Sequence, residues 1–470
     1  MIGMNPSYSS FFFPEWILSV SPKHAHPFSV KEKRPCMNQE TVAIWLRRDL
    51  RLDDNTALYH ALQSGKPVIP VFIFDKHILD ELPEADARVE FIHTQIERLQ
   101  EELTAAGSSM VVKYGVPEEI WPELIEKFQI KQLYINQDYE PYAKSRDAMI
   151  SEMVEEKGAS THFFKDQVLF EKEEILSNSD KPYTVFTPYS RKWKAALSQE
   201  RVSSLPSETL LENFFKNSAL PIPSLAEMGF KPSGIPFPQS VFDRDIIKIY
   251  DEKRNFPAQK GTTRLGIHLR FGTISIRKLA RTAIELNETY LNELIWREFY
   301  MQILWNFPHV AIGPFKPQYA GIPWNEDEEM FQKWCEGKTG FPLVDAGMRE
   351  LNETGFMHNR VRMLTASFLV KDLLINWQWG ERYFAEKLLD FELSSNNGGW
   401  QWAASCGTDA APYFRIFNPE SQMKKFDPGL HYVRKWVPEF GTPVYPNPVV
   451  NHKEARERTL SVFKEVLNSK

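Results

Sequence analysis

The run TVAIWLRRDLRLDDNTALYHALQSGKPVIPVFIF, from Thr41 to Phe74, decides the fold class. TVAIWL is a continuous apolar run rich in strand-forming side chains, which reads as a strand buried on both faces. NTALYHALQSG follows as a helix that stops at a glycine, and PVIPVFIF resumes the strand pattern. Further along, SMVVKYG, KQLYIN and THFFKDQVLF supply more strands, with helical segments between them. Strands alternating with helices imply a parallel sheet with helices on both faces, an α/β N-terminal domain over residues 41–170. Neither GxGxxG nor GxxxxGK[ST] occurs, so neither common phosphate cradle is available.

Outward from this core the pattern changes twice. Residues 171–240 form an interdomain connection. Its later part (SSLPSE, LPIPSL, KPSGIPFPQ) has the Ser/Pro composition of an extended surface segment. After Val241 the periodicity is helical to the end, giving an all-α C-terminal domain over residues 241–470. Residues 1–40 look foreign to the rest. FFFPEWILSV is short, is broken by Pro14 and Glu15, and lacks a basic region before it, so it does not read as a secretory signal. Met1 to Cys36 are expected to be a disordered or mis-assigned leader, with Met37 standing just before the first strand.

Bulk composition excludes several classes. A chain of 470 residues with 42% hydrophobic content can form two or three cored domains. Three cysteines without CxxC or metal-ligand spacing fit a reducing compartment, and no metal site is expected. No apolar run approaches the roughly 20 residues that span a bilayer, so no membrane partner is expected. The net charge of −6 does not announce a polyanion partner, although a local basic groove is compatible with it. A cytoplasmic monomer is the expectation. The 13 tryptophans, most beyond residue 290, form core or stack on flat ligands.

Chemistry gathers in the helical half. In LNELIWREFYMQILWNF, Leu291, Leu294, Ile295, Phe299 and Ile303 form a core stripe. Glu293, Trp296, Arg297 and Tyr300 share another face, at i, i+3, i+4 and i+7. Two readings stand: a second packing face with an internal Glu293–Arg297 salt bridge, or a pocket wall. GFMHNRVRMLTASFLVKDLLINW reads as a second long helix, with Asn359, Arg362 and Met363 on one face and Arg360 beside it. In GTTRLGIHLRFGTISIR, Gly261, Thr262 and Thr263 suit either a phosphate at a helix start or simple helix capping.

From Thr41 to about Lys464 the chain resembles the photolyase/cryptochrome flavoproteins, closest to the bacterial class I cyclobutane pyrimidine dimer photolyases. The segments LRRDLRLDDNTAL, GTTRLGIHLRFGTIS, NELIWREFY, GKTGFPLVDAGMRELNETGFMHNRVRM, ASFLVKDLL and NNGGWQWAASCGTDAAPYFRIFNP carry the resemblance. It implies FAD, in the reduced FADH− form, held in the helical domain. Tyr250 and Thr262, Thr263, Arg264, Leu265 and Gly266 would lie on the phosphate side. Asp390 and Glu392 would lie near the isoalloxazine edge, and Asn396 would face flavin N5. Tyr290, Glu293, Arg297 and Asn359 complete the implied cofactor set. Gly266 stands where a serine is common, and Tyr290 where a tryptophan is often found.

The same resemblance implies a partner, UV-damaged DNA, and a lesion pocket. Trp296 and Trp402 would pack the flipped dimer and Glu293 would hydrogen-bond its base. Asn359 and Met363 would fill in around it. Arg254, Arg297, Arg360 and Arg362 are candidates for phosphate contacts at the mouth, with Arg297 alternatively a structural ion-pair residue. Glu293 and Asn396 are the implied catalytic pair. Repair would follow from one electron given by excited FADH− to the dimer and later returned, with Glu293 protonated or sharing a proton. Trp400, Trp377 and Trp324 match an electron relay that photoreduces oxidised FAD. An antenna chromophore of folate or deazaflavin type is implied for the N-terminal domain. Tyr142 and Ala143 replace the Asn-Glu pair of folate binders, and Asp138 and Glu140 are the candidate contacts. The competing readings are a cryptochrome photoreceptor and a (6-4) photolyase. The latter usually pairs histidines, where this chain has His358 and then Asn359.

Overall fold

The computed structural model describes residues 40–468, so the expected leader lies, apart from Glu40, outside the described residues. Five strands, β1 Thr41–Leu46, β2 Val68–Asp75, β3 Val111–Gly115, β4 Ile130–Asn136 and β5 Ser160–Phe164, form an all-parallel sheet in the order β3-β2-β1-β4-β5. Every residue of β1 is buried. Its period of two divides a wholly apolar run between two cores. Val42, Ile44 and Leu46 pack with the Thr56–Leu62 and Ala87–Ala105 helices, whereas Ala43 and Trp45 pack with Pro117–Phe128 and Pro141–Glu156. Removing each such aliphatic side chain from water contributes about 1.5–3 kcal/mol.

Strand order reverses at β1, which opens a crevice beyond the carboxyl ends of β1 and β4. Arg47 and Arg48 leave β1 there, and Asn136 ends β4.

Three expectations are corrected. The segment 161–170 is not strand throughout, because β5 ends at Phe164. Beyond it, the Leu169 and Phe170 N–H groups donate to the Glu298 carboxylate of the helical domain, at 2.5 and 3.3 Å, rather than to a strand. The run 355–377 is not one helix. An α-helix, Asn359–Ser367, passes into a π-helical turn, Phe368–Asp372, and a new helix starts at Trp377 behind its cap Asn376. The interruption accommodates a fully buried Lys371, whose Nζ donates to Ser405 Oγ at 3.0 Å. Lastly, Gly261 to Thr263 do not begin a helix. Residues 261–265 run as a non-helical strap, with Arg264 at φ 55°, before the short Gly266–Arg270 helix.

The connection is only partly extended. It contains the Phe186–Ala196 helix, whose Tyr189 and Trp193 enter the core of the helical domain. Its Ser/Pro part clings to the sheet domain, with Phe215 N–H donating to Val68 O at 2.8 Å. From Arg244 onward every described regular element is helical.

Candidate active site in the helical domain

The Glu288–Asn306 helix is capped by Asn287, whose side chain accepts from Tyr290 N–H. Its apolar stripe is buried as expected, and Glu293, Trp296, Arg297 and Tyr300 share a half-buried face. The anticipated Glu293–Arg297 salt bridge does not form. Glu293 Oε1 instead accepts from Arg254 Nη1 at 2.5 Å. Arg297 reaches away from the mouth, donating to Gln167 O at 2.6 Å and Leu269 O at 3.5 Å. It bridges two backbone carbonyls. Trp296 stacks face to face on Phe186, with ring centroids 3.7 Å apart and planes 4° apart. Phe186 lies in the connection, 110 residues earlier, where no periodicity marks it.

A second helix, Asn359–Ser367, meets this wall through a short polar chain. Arg360 Nη2 donates to Asn255 Oδ1 at 2.5 Å, next to Arg254, and Arg360 Nη1 contacts Met363 Sδ at 3.7 Å. Burial and the neighbouring Arg254 and Arg415 guanidinium groups lower the Arg360 pKa. Arg254, paired with Glu293, and Arg360, beside Met363, thus gather with Arg415. Arg362 points elsewhere: its Nη2 pairs with both Asp390 oxygens at 3.0 and 3.1 Å, and its Nε donates to Met357 O.

A third helix, Leu393–Ala403, carries NNGGWQW. Its cap is Glu392, which accepts from the N–H and hydroxyl groups of Ser394 and Ser395. Glu392 is therefore a buried capping carboxylate, with the Arg48, Arg297 and Arg270 charges holding its pKa down against burial. That capping anchors Glu392 at the start of the helix that carries Asn396. Asn396 Nδ2 donates to Glu381 O at 3.0 Å. Gly398 lets the helix approach Tyr300, and Trp400 and Trp402 part company. Trp400 is buried, 5.0 Å from Phe384 and 6.1 Å from Trp334, whereas Trp402 is half-buried and stacks on Phe417 at 6.3 Å.

The strap 261–265 borders a cavity of about 690 Å³ that includes Thr262, Thr263, Arg264, Lys260, Lys435, Glu350 and His358 in its lining. That size is in the range of small-molecule sites. His358 supplies a test of what fits. Its Nδ1 accepts from Arg360 N–H at 3.2 Å, and burial with nearby arginines pushes its pKa down to about 4. The neutral ring therefore carries its proton on Nε2. Nε2 is buried with no acceptor among the described residues. A buried donor beside Arg264, Lys260 and Lys435 suits an anionic or carbonyl-bearing ligand, which matches a dinucleotide phosphate. Tyr290 closes the strap from the other side through a 2.8 Å bond to Thr263 Oγ1, and Tyr250 packs edge-on to it at 4.9 Å. Burial pushes the Tyr290 phenol up to about 12. Gly266 has a local cause: a Cβ there would meet Asp390 Oδ2 at 2.6 Å, so a serine would displace the Arg362–Asp390 pair. Asn396, Trp296 and Trp402 do not line this cavity.

The relay candidates share one apolar cluster, with Trp377 and Trp400 buried in it and Trp324 packed against it. A Cβ on Gly380 would strike Trp400 Cη2 at 2.1 Å, so the Trp377–Lys387 helix lies against that indole. Trp377, one turn earlier on the helix, is buried. Asn325 N–H donates to Leu374 O at 2.7 Å, bringing the half-buried Trp324 to the start of the same helix. Trp334, which no motif reading singled out, adds a fourth indole beside Trp400.

The two expected antenna contacts pair with arginines. Asp138 and Glu140 accept from Arg48 at 3.0 and 3.2 Å, and Glu140 also accepts from Arg270 at 2.7 Å. Glu140 thereby ties the sheet domain to the helical domain, while Asp138 holds Arg48 within the sheet domain.

Comparison with known proteins completes the picture. A deoxyribodipyrimidine photo-lyase of Synechococcus sp. is 36% identical over 469 residues, covering 90% of this chain and 96% of that one. The chain belongs to the DNA photolyase family. Residues 42–208 match the DNA photolyase domain, and residues 290–443 match the FAD binding domain of DNA photolyase. A bacterial class III photolyase from Agrobacterium tumefaciens superimposes with a TM-score of 0.81 at 31% identity, covering 93% of this chain and 99% of that one. An archaeal photolyase from Sulfolobus tokodaii, solved with two FAD molecules, gives 0.75 at 33% identity, covering 91% and 100%. The helical half of this photolyase is thus a FAD-binding domain. No helix among its described residues is long and apolar enough to cross a membrane.

Proposed function

We propose that this photolyase repairs cyclobutane pyrimidine dimers in UV-damaged DNA, in light, as a cytoplasmic enzyme. The observation that carries the reading is the meeting of Arg254, Arg360 and Arg415 beside Glu293 and Met363. Mutually repelling guanidinium groups gathered at a rim suit the phosphates of a bound strand, the sequence-independent part of DNA affinity. The lesion is taken out of the stack, as is general for photolyases. Trp296, Trp402, Asn359 and Met363 receive it, and aromatic stacking of about 1–3 kcal/mol per base offsets the unstacking cost. Phe186 holds the Trp296 ring in one plane.

Thr262, Thr263, Arg264 and the His358 Nε2–H would hold the phosphates of FAD, and Asn396, with the Arg362–Asp390 pair, its redox-active end. When bound, reduced FAD supplies the light-driven electron that opens the dimer and receives it back. Glu293 stays hydrogen-bonded through the reaction, positioned by Arg254, and offers the base a polar partner. Trp324, Trp377 and Trp400 conduct an electron inward from the surface to restore the reduced cofactor. A folate- or deazaflavin-type antenna would sit in the N-terminal domain, with Asp138 and Glu140 as its candidate contacts.

The deciding experiment illuminates the reduced protein with oligonucleotides carrying one cyclobutane dimer or one (6-4) product, with dark controls. Light-dependent restoration of the cyclobutane substrate alone is expected. Repair of neither lesion would favour a photoreceptor, and repair of the (6-4) product would reassign the pocket.

A further inference from the structure

We propose that a recess of about 290 Å³ beside Trp324 binds small planar phenolic reductants, which refill the outer end of the tryptophan relay. The proposal rests on the relay reading given above. The recess is lined by Trp324 and Trp379, both half-buried, with Asn325, Asn376 and Glu326. Two indoles on one small recess offer aromatic surface matched to a single ring. Each is backed by another ring: Trp324 lies edge-on to Phe463 at 6.1 Å, and Trp379 edge-on to Phe331 at 5.3 Å.

The polar groups select the ligand further. Asn325 Nδ2 donates one N–H to Leu373 O at 2.7 Å, and its side-chain carbonyl oxygen remains an acceptor. Glu326 is exposed and adds a carboxylate. Among the described residues, no cationic side chain lines the recess. The walls therefore favour a flat molecule bearing O–H or N–H donors and disfavour phosphates and carboxylates.

The redox step balances. After inward transfer, the Trp324 indole is one electron short. A bound phenol gives it that electron, its O–H bond breaks, and the proton passes to Glu326 or water. The phenol leaves as a neutral oxyl radical, and the flavin has gained one electron.

The test follows decay of the tryptophan radical after a flash, in holoprotein with oxidised FAD, against graded hydroquinone. Wild type should approach a plateau, as a saturable site requires, whereas dithiothreitol, which is not planar, should act in proportion to its concentration. Trp379→Ala should turn the hydroquinone curve into a straight line with a slope several-fold lower, and Trp379→Phe should restore the plateau. Glu326→Ala, at an exposed position where folding is not at risk, should raise the half-saturating concentration several-fold. A straight line in wild type, or a plateau unchanged by both Trp379→Ala and Glu326→Ala, overturns the site. Trp324→Phe separates the two ideas: a radical that forms and decays as in wild type shows that the relay reading itself has failed.

Discussion

Gly398 lies against the ring of Tyr300, so closely that a Cβ at position 398 would stand 2.1 Å from Tyr300 Cδ1. This contact joins the helix carrying Asn396, Trp400 and Trp402 to the helix carrying Glu293 and Trp296. At the neighbouring Gly399, a Cβ would meet nothing within 4 Å among the described residues. Gly398→Ala must therefore push Tyr300 or a helix aside, an overpacking cost of about 1–3 kcal/mol. Gly399→Ala should instead stabilise by about 0.4–1 kcal/mol, since it removes unfolded-state freedom without strain. Thermal denaturation of the two variants should shift in opposite directions.

The arginines should divide in a salt titration of DNA binding. Arg254→Ala and Arg360→Ala should each reduce the slope of log K against log salt by about 0.9, the value for one phosphate contact. Arg297→Ala should leave the slope alone and lower stability, because its partners are the Gln167 and Leu269 carbonyls.

Glu293→Gln keeps an oxygen for Arg254 and adds an N–H donor for a base. Most repair should survive in this variant, measured as dimers split per absorbed photon with pre-reduced enzyme. Near-total loss of repair with lesion binding intact would show that a titratable carboxyl is required.

The two tryptophans of NNGGWQW should fail differently. Trp400→Phe should abolish photoreduction of oxidised FAD while pre-reduced enzyme still repairs. Trp402→Ala should weaken lesion binding by about 1–3 kcal/mol and leave photoreduction intact. Flash photolysis and a binding titration on both variants check the division.

How far this site was legible in the sequence depended on the range of the interactions. Strands β1 and β2 were readable because a strand buried on both faces needs a continuous apolar run. The Glu288–Asn306 helix was readable because spacing alone puts Glu293, Trp296, Arg297 and Tyr300 on one face. The end of β5 was not, since Glu298, some 130 residues away, takes the N–H groups of Leu169 and Phe170. The break after Ser367 was hidden because the apolar pattern runs on through Phe368 to Leu374, and the interruption is made by Lys371 and Ser405 in three dimensions. The partners of Glu293, Arg297 and Arg362 were equally out of reach, because charge spacing on a helix suggests its own neighbours first.

Glu381 should contribute a stability that falls as pH rises through the neutral range. Burial between two helices pushes its carboxyl up from 4.5 to about 8, and the Asn397 Nδ2–H bond at 2.9 Å does not offset that. Burial likewise raises Glu298 to about 7 despite donors from Leu169, Trp193 and Phe170. For an acid with a raised folded-state pKa, the folded state holds a proton that the unfolded chain has released. The resulting stabilisation is whole below the unfolded value of 4.5, declines as pH rises, and is gone above about 8. Glu381→Gln stays neutral throughout, so its denaturation midpoint should vary less across that window than wild type. An equal pH dependence in the two proteins would place the titration elsewhere.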